Sequence, residues 1–123
     1  MRLRPITLVC ATLLSLACSK KEGGSSPAAV TPEAEEVFTQ RCTACHGTDG
    51  KGTGPAAANL NPKPRDYTDA QWQSTVTDDA LRTTIVKGGA AVGKSPLMPP
   101  NPDLESKPAV VDGLVAKVRS FRK

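Results

Sequence analysis

The sequence predicts a small all-α domain, in which three main helices are joined by long loops. Two observations predict it: apolar residues recur at helical spacing in three capped stretches, and no βαβ pattern is present. The first helix is expected from Pro32 to about Cys42. Thr31 stands at its N-cap, Pro32 at its first position, and Glu33 and Glu35 near its positive end. The second runs from about Asp78 to Lys87, capped by Thr77 and stopped by Gly88, with Leu81 and Ile85 on one face. The third, about Pro108 to Phe121, sets Val111, Leu114, Val115 and Val118 in one stripe. Gly113 interrupts it at up to about 1 kcal/mol against alanine. A close crossing with the first helix near Ala34 accounts for such a residue. The thirty residues between His46 and Thr77 lack convincing periodicity.

The N-terminal residues divide the chain. Met1 to Arg4 is short and basic, and Ile6 to Ala17 is apolar and uncharged. That layout suits a secretory signal over residues 1–17, whose apolar core is too short for a lasting membrane span. Ser15 and Ala17 suit ordinary cleavage after Ala17. The stretch before Cys18 also resembles the lipobox of bacterial lipoproteins, with Ser15 where leucine is usual, which implies lipidation of Cys18. An uncleaved anchor is the third reading. Residues 18–30, polar and rich in Gly, Ser and Ala after Cys18, read as a linker. Its residues 19–30 have a reach of about 20 Å. The folded domain is then 31–123.

The formal charge is +4. Removal of Arg2 and Arg4 with the signal leaves 14 Lys and Arg against 12 Asp and Glu, or +2. With no basic run interleaved with aromatics, no nucleic-acid partner is expected. Of the four cysteines, Cys10 lies in the signal and Cys18 at the processing site. Only Cys42 and Cys45 remain, in Cys42-Thr43-Ala44-Cys45-His46. Cys-x-x-Cys-His is the attachment signal for haem c. Two thiols add to the haem vinyl groups, a short helical turn sets both sulfurs on one face, and His46 becomes the proximal iron ligand. Three other readings use the same residues. A thioredoxin-like dithiol needs the absent βαβ unit. A zinc site needs four ligands, and the domain offers two cysteines and one histidine. A Cys42–Cys45 disulfide would close only a tiny loop.

A haem iron holding one histidine is either open and reactive or closed by a second ligand. His46 is the chain's one histidine, and Met98 is the one methionine left once Met1 departs. Prolines 96, 99 and 100 restrict the backbone around Met98 and lower the entropy of holding a weak thioether ligand. Met98 is therefore the expected distal ligand, against the alternative that it fills a gap in the core.

With these residues placed, the chain resembles the class I cytochromes c, of the small single-haem bacterial kind, from about Glu33 to Phe121. The resemblance implies a small cytochrome c fold wrapped around one covalent haem c. Phe38 stands where the family has an aromatic packing on the last helix. Gly50, Gly52, Gly54 and Pro55 resemble the family's glycine-rich turn, which implies that the Pro55 carbonyl accepts a hydrogen bond from the proximal histidine. Leu60 resembles the haem-packing leucine and Trp72 the propionate-binding tryptophan, with Arg65 and Tyr67 as further propionate candidates. One departure is Lys117, where the last helix usually carries an aromatic; contact between first and last helices then relies on Phe38, Leu114, Val118 and Phe121.

A bound haem also answers two oddities, the long unpatterned segment and an aromatic content of only 3%, because it supplies an apolar body for loops to wrap. The haem-free chain is expected to be largely unfolded. Closed His/Met ligation implies an electron carrier rather than an enzyme, meeting redox protein partners in short-lived contacts. The signal and lipobox-like stretch imply a periplasmic location, anchored to the membrane through Cys18. Lys51, Lys63, Lys87 and Lys94 form either a docking rim for acidic partners or an ordinary solvated surface. A gas sensor or weak peroxidase with an open iron, and a haem-free thiol-redox or metal-binding module, are the competing functions.

Overall fold

The computed structural model of the chain describes residues 28–123. The expected signal peptide, Cys18 and most of the linker lie outside the described residues. Five α-helices follow in order: α1 (Pro32–Val37), α2 (Thr43–His46), α3 (Ala70–Thr75), α4 (Asp78–Lys87) and α5 (Pro108–Ser120). Tight 3₁₀ turns occupy Pro55–Asn59, Ala90–Val92 and Pro102–Ser106. There is no strand among the described residues, as an all-α fold requires. No helix among them is long and apolar enough to cross a membrane.

Capping chemistry sets the helix starts. The Thr31 side chain accepts from the Ala34 N–H at 3.1 Å, and that of Thr77 from the Ala80 N–H at 3.1 Å. Gly88, at φ +78°, ends α4. The first helix runs further than periodicity suggested. A π-helical turn at Phe38–Cys42 links α1 to α2, and the Thr43 N–H reaches back five residues to the Phe38 carbonyl. Wide turns of this kind recur at functional sites. Here the turn carries the chain into Cys45 and His46 without breaking the helix.

The core is built on α5, which supplies Val110, Val111, Leu114, Val115 and Val118 to a cluster shared with Ala34, Phe38, Tyr67, Leu81 and Leu104. The α1–α5 crossing is close because Gly113 faces Ala34. A Cβ placed on Gly113 would lie 2.7 Å from the Ala34 Cβ. Two ion pairs flank this crossing, Lys107–Glu33 at 2.9 Å and Lys117–Glu35 at 2.8 Å.

The segment from His46 to Thr77 is more ordered than its sequence pattern predicts. It contains the Pro55–Asn59 turn and α3. Asp69 caps α3 through bonds to the Gln71 and Trp72 N–H groups at 2.9 and 3.0 Å. Buried Gln73 then donates from Nε2 to the carbonyls of Tyr67 and Val118, both at 2.8 Å. Arg119 closes the clamp with bonds to the Gln73 and Val76 carbonyls and to Asp78. The clamp fastens α3 and the start of α4 to the end of α5.

Candidate haem-attachment site

Cys42, Cys45 and His46 lie on one helical run, Cys42 closing the π-turn and the other two on α2. Both cysteines are unpaired and half-buried, and His46 is buried. The glycine-rich turn wraps the end of this helix: Gly52 N–H donates to the His46 carbonyl at 2.9 Å, and Gly54 N–H to the Cys45 carbonyl at 3.1 Å. A Cβ on Gly54 would run into the Thr43 and Ala44 carbonyls, so only glycine lets the turn lie this close.

Burial pushes the Cys42 thiol up to about 11 despite nearby Arg41. A thiol that stays protonated is a poor redox nucleophile, which weighs against the dithiol reading. Burial also drives the His46 imidazole below its usual range, with the Arg65 backbone opposing in part. The ring is therefore neutral near pH 7, the form that ligates metals.

His46 is embedded in aromatic rings. Tyr67 stacks on it with centroids 4.5 Å apart, and the Tyr67 hydroxyl lies 3.1 Å from Nε2 in a hydrogen bond. Trp72 stacks on Tyr67 at 5.7 Å, with the Arg65 guanidinium 5.5 Å over its ring. Phe121 faces Tyr67 at 6.2 Å and Phe38 at 5.6 Å. Three residues considered for the propionates, Arg65, Tyr67 and Trp72, thus form one group, and Tyr67 sits directly against the imidazole.

Other expected residues lie further out. Pro55 is exposed at the head of its 3₁₀ turn, and His46 Nδ1 has no hydrogen-bond partner in the protein. Leu60 and Met98 are half-buried and lie outside the core cluster. The Met98 loop is nevertheless tied down. The Gly89 N–H donates to the Met98 carbonyl at 3.0 Å, and Asn101 bonds to the Val86 and Ile85 carbonyls at 2.9 and 2.8 Å. Arg41, the residue before Cys42, reaches across to Asp103 at 2.9 Å and Asn101 at 3.4 Å. The loop bearing the sole candidate thioether is therefore pinned to the helix bearing the thiols.

Of the four lysines considered for a docking rim, three have partners. Lys87 pairs with Glu105, Lys51 lies 3.7 Å from Asp49, and Lys63 donates to the Ala57 and Ala58 carbonyls. Lys94 has no such partner among the described residues. Two contributors escaped sequence reasoning, Gln73 and Arg119. Both act over more than forty residues of separation, where no local pattern marks them; the Asp69 cap was the one signal available for α3.

The donor set fits a covalently held haem. Two free thiols stand three positions apart on one helical run, followed at once by a neutral imidazole with one buried nitrogen unsatisfied. No group of three or more His, Cys, Asp and Glu side chains able to hold a metal ion occurs among the described residues. A strand-free helical domain with this arrangement defines a haem-attaching protein. The chain belongs to the cytochrome c family, whose model matches residues 32–120. It is similar to a solved structure, the KustC0563 c-type cytochrome, at 30% identity and a TM-score of 0.54, over 73% of this chain and 98% of that one. No curated protein shows a significant match. Membership brings a covalent haem c and haem-based electron transfer.

Proposed function

We propose that the chain is a single-haem electron carrier whose haem is attached through Cys42 and Cys45 and ligated by His46 and Met98. The observation that carries this reading is the buried, neutral His46 directly following two free thiols, with one ring nitrogen left without a protein partner. An unsatisfied buried polar atom costs about 1–3 kcal/mol, a cost that a ligand on this ring would relieve. The haem supplies the one-electron couple. The protein's part is to hold it, exclude water and set its environment. Tyr67 orients the imidazole, and the Arg41–Asp103 and Asn101 bonds restrain the Met98 loop. Arg65 and Trp72 stand together at the outer end of the stack and are suited to the propionates. Pro55, at the end of the glycine-rich turn, and Leu60, at the end of the 3₁₀ turn that follows it, complete the proposed set.

Met/His ligation closes the iron and raises its potential, which favours electron transfer over substrate chemistry. The partners are redox proteins. Exposed Leu97, 53% accessible, lies between unpaired Lys94 and Met98, and supports an apolar contact beside one cation rather than a four-lysine rim. The basic and apolar N-terminal residues support export to the periplasm, with Cys18 as a lipid tether for the membrane surface. Spectra of purified protein test the reading. Colour that survives acid-acetone extraction, and ferrous protein that does not bind carbon monoxide rapidly at neutral pH, are expected. Rapid, tight binding points instead to an open iron, and extractable colour removes the covalent link.

A further inference from the structure

We propose that Lys117 and Glu35 act as a pair that sets the potential of the haem through the aromatic packing around His46, an inference that rests on the haem reading above. The Lys117 ammonium lies 5.5 Å over the Phe38 ring and 5.2 Å over the Phe121 ring, and it pairs with Glu35 at 2.8 Å. Its side chain is only 18% exposed, against 48% for Glu35. From Phe121 the packing continues without interruption to Tyr67 and then to His46. A charge held against stacked rings is screened far less than one in water.

An aromatic at position 117 would join the two helices with no charge to desolvate. The lysine carries that cost, offset by two ring faces and one half-exposed carboxylate. Oxidation of the haem adds one positive charge at the iron. The ammonium disfavours that charge and the carboxylate favours it, so the pair acts on the iron with opposite signs. The Lys107–Glu33 pair joins the same two helices but is exposed on both sides, at 50% and 54%, and is not placed over a ring. It is the built-in control.

The test is spectroelectrochemical titration of the haem-loaded full chain and its Lys117→Met, Glu35→Gln, Lys107→Met and Glu33→Gln variants, at low and high salt. Covalent haem is first verified in each. Lys117→Met is expected to lower the midpoint potential, seen as a several-fold fall in the reduced-to-oxidised ratio at fixed ambient potential. Glu35→Gln is expected to raise it, and both shifts should persist at high salt. The Lys107 and Glu33 variants should shift less, and salt should erase what shift they show. If Lys117→Met fails to fold, Glu35→Gln decides the sign with the lysine and both rings in place. Shifts no larger than the control pair's, or a melting-temperature change without a potential change, overturn the proposal and leave a structural ion pair. Wild-type protein lacking covalent haem defeats the haem reading itself, and is recognised before any titration begins.

Discussion

Gly113→Ala sets two calculable effects against each other. Alanine in a helix interior is favoured over glycine by up to about 1 kcal/mol. The new methyl, however, would lie 2.7 Å from the Cβ of Ala34, which is fully buried and cannot rotate away. It would also meet the Thr31 hydroxyl at 3.1 Å and the Thr31 nitrogen at 3.3 Å. That hydroxyl caps α1, a bond worth about 1 kcal/mol that turning aside would forfeit. Overpacking a tight contact costs about 1–3 kcal/mol. With the cap at risk as well, the balance is a loss of about 1–2 kcal/mol, or a fall of roughly 5–15 °C in melting temperature for a domain of this size. Thermal melts of the haem-loaded protein by circular dichroism measure it. Ala34→Gly, which vacates the contact, should cost less in the Gly113→Ala chain than in wild type, a coupling that a double-mutant cycle reads. A Gly113→Ala protein that melts at or above wild type would refute the close crossing as the reason for this glycine.

Gln73→Ala should lower stability by about 1–3 kcal/mol in denaturant titration, because the buried Tyr67 and Val118 carbonyls lose their shared donor; a loss below 0.5 kcal/mol, roughly the noise of surface substitutions, would argue against the clamp. The Asp103 carboxyl is held below its usual range chiefly by its bond to Arg41. Its contribution is therefore complete above the ordinary carboxylate value of about 3.9 and is lost as pH falls through the folded value. The stability gap between wild type and Arg41→Met should accordingly close on acidification below about pH 4, and a gap constant across acid melts would contradict the assignment. Met98→Ala should keep the colour, lower the potential and admit carbon monoxide to the ferrous iron; an unchanged binding rate would remove Met98 from the site. Cys42→Ser/Cys45→Ser should prevent covalent attachment and abolish the cooperative far-ultraviolet melt. The largest fully buried side chains are only Leu104 and Leu114, so a sharp melt in that variant would show a core sufficient without the porphyrin.

What was legible in the sequence was local or chemically singular. Thr31, Thr77 and Gly88 work within one turn of their own helices, and each does so here. Gly113 was legible for the opposite reason: a glycine in a valine stripe needs a neighbour too close for a methyl group. The attachment motif needs three residue types at one spacing. By contrast, α3 spans six residues with Trp72 as its only large apolar side chain, too short to show a period. The π-turn depends on five-residue hydrogen bonds, such as Thr43 N–H to the Phe38 carbonyl, that composition does not encode. Lys117 read as a missing aromatic. Its ammonium in fact meets two rings and a carboxylate, a combination visible only once α1 and α5 are laid together.

The chain's four aromatic residues are Phe38, Tyr67, Trp72 and Phe121, and its one histidine is His46. All five join in a single run of ring contacts. A domain so poor in aromatics has spent none elsewhere in its core, where valine, leucine and alanine do the packing. Each aromatic ring covers more area than a small aliphatic side chain, so these few rings contribute to the core as well as surrounding the imidazole. Stability and iron environment are thus written into the same few rings, and a substitution that loosens Phe38 or Phe121 should register in both the melting temperature and the potential. Substitutions at Val110 or Val111, on α5 but outside those ring contacts, should register mainly in the first.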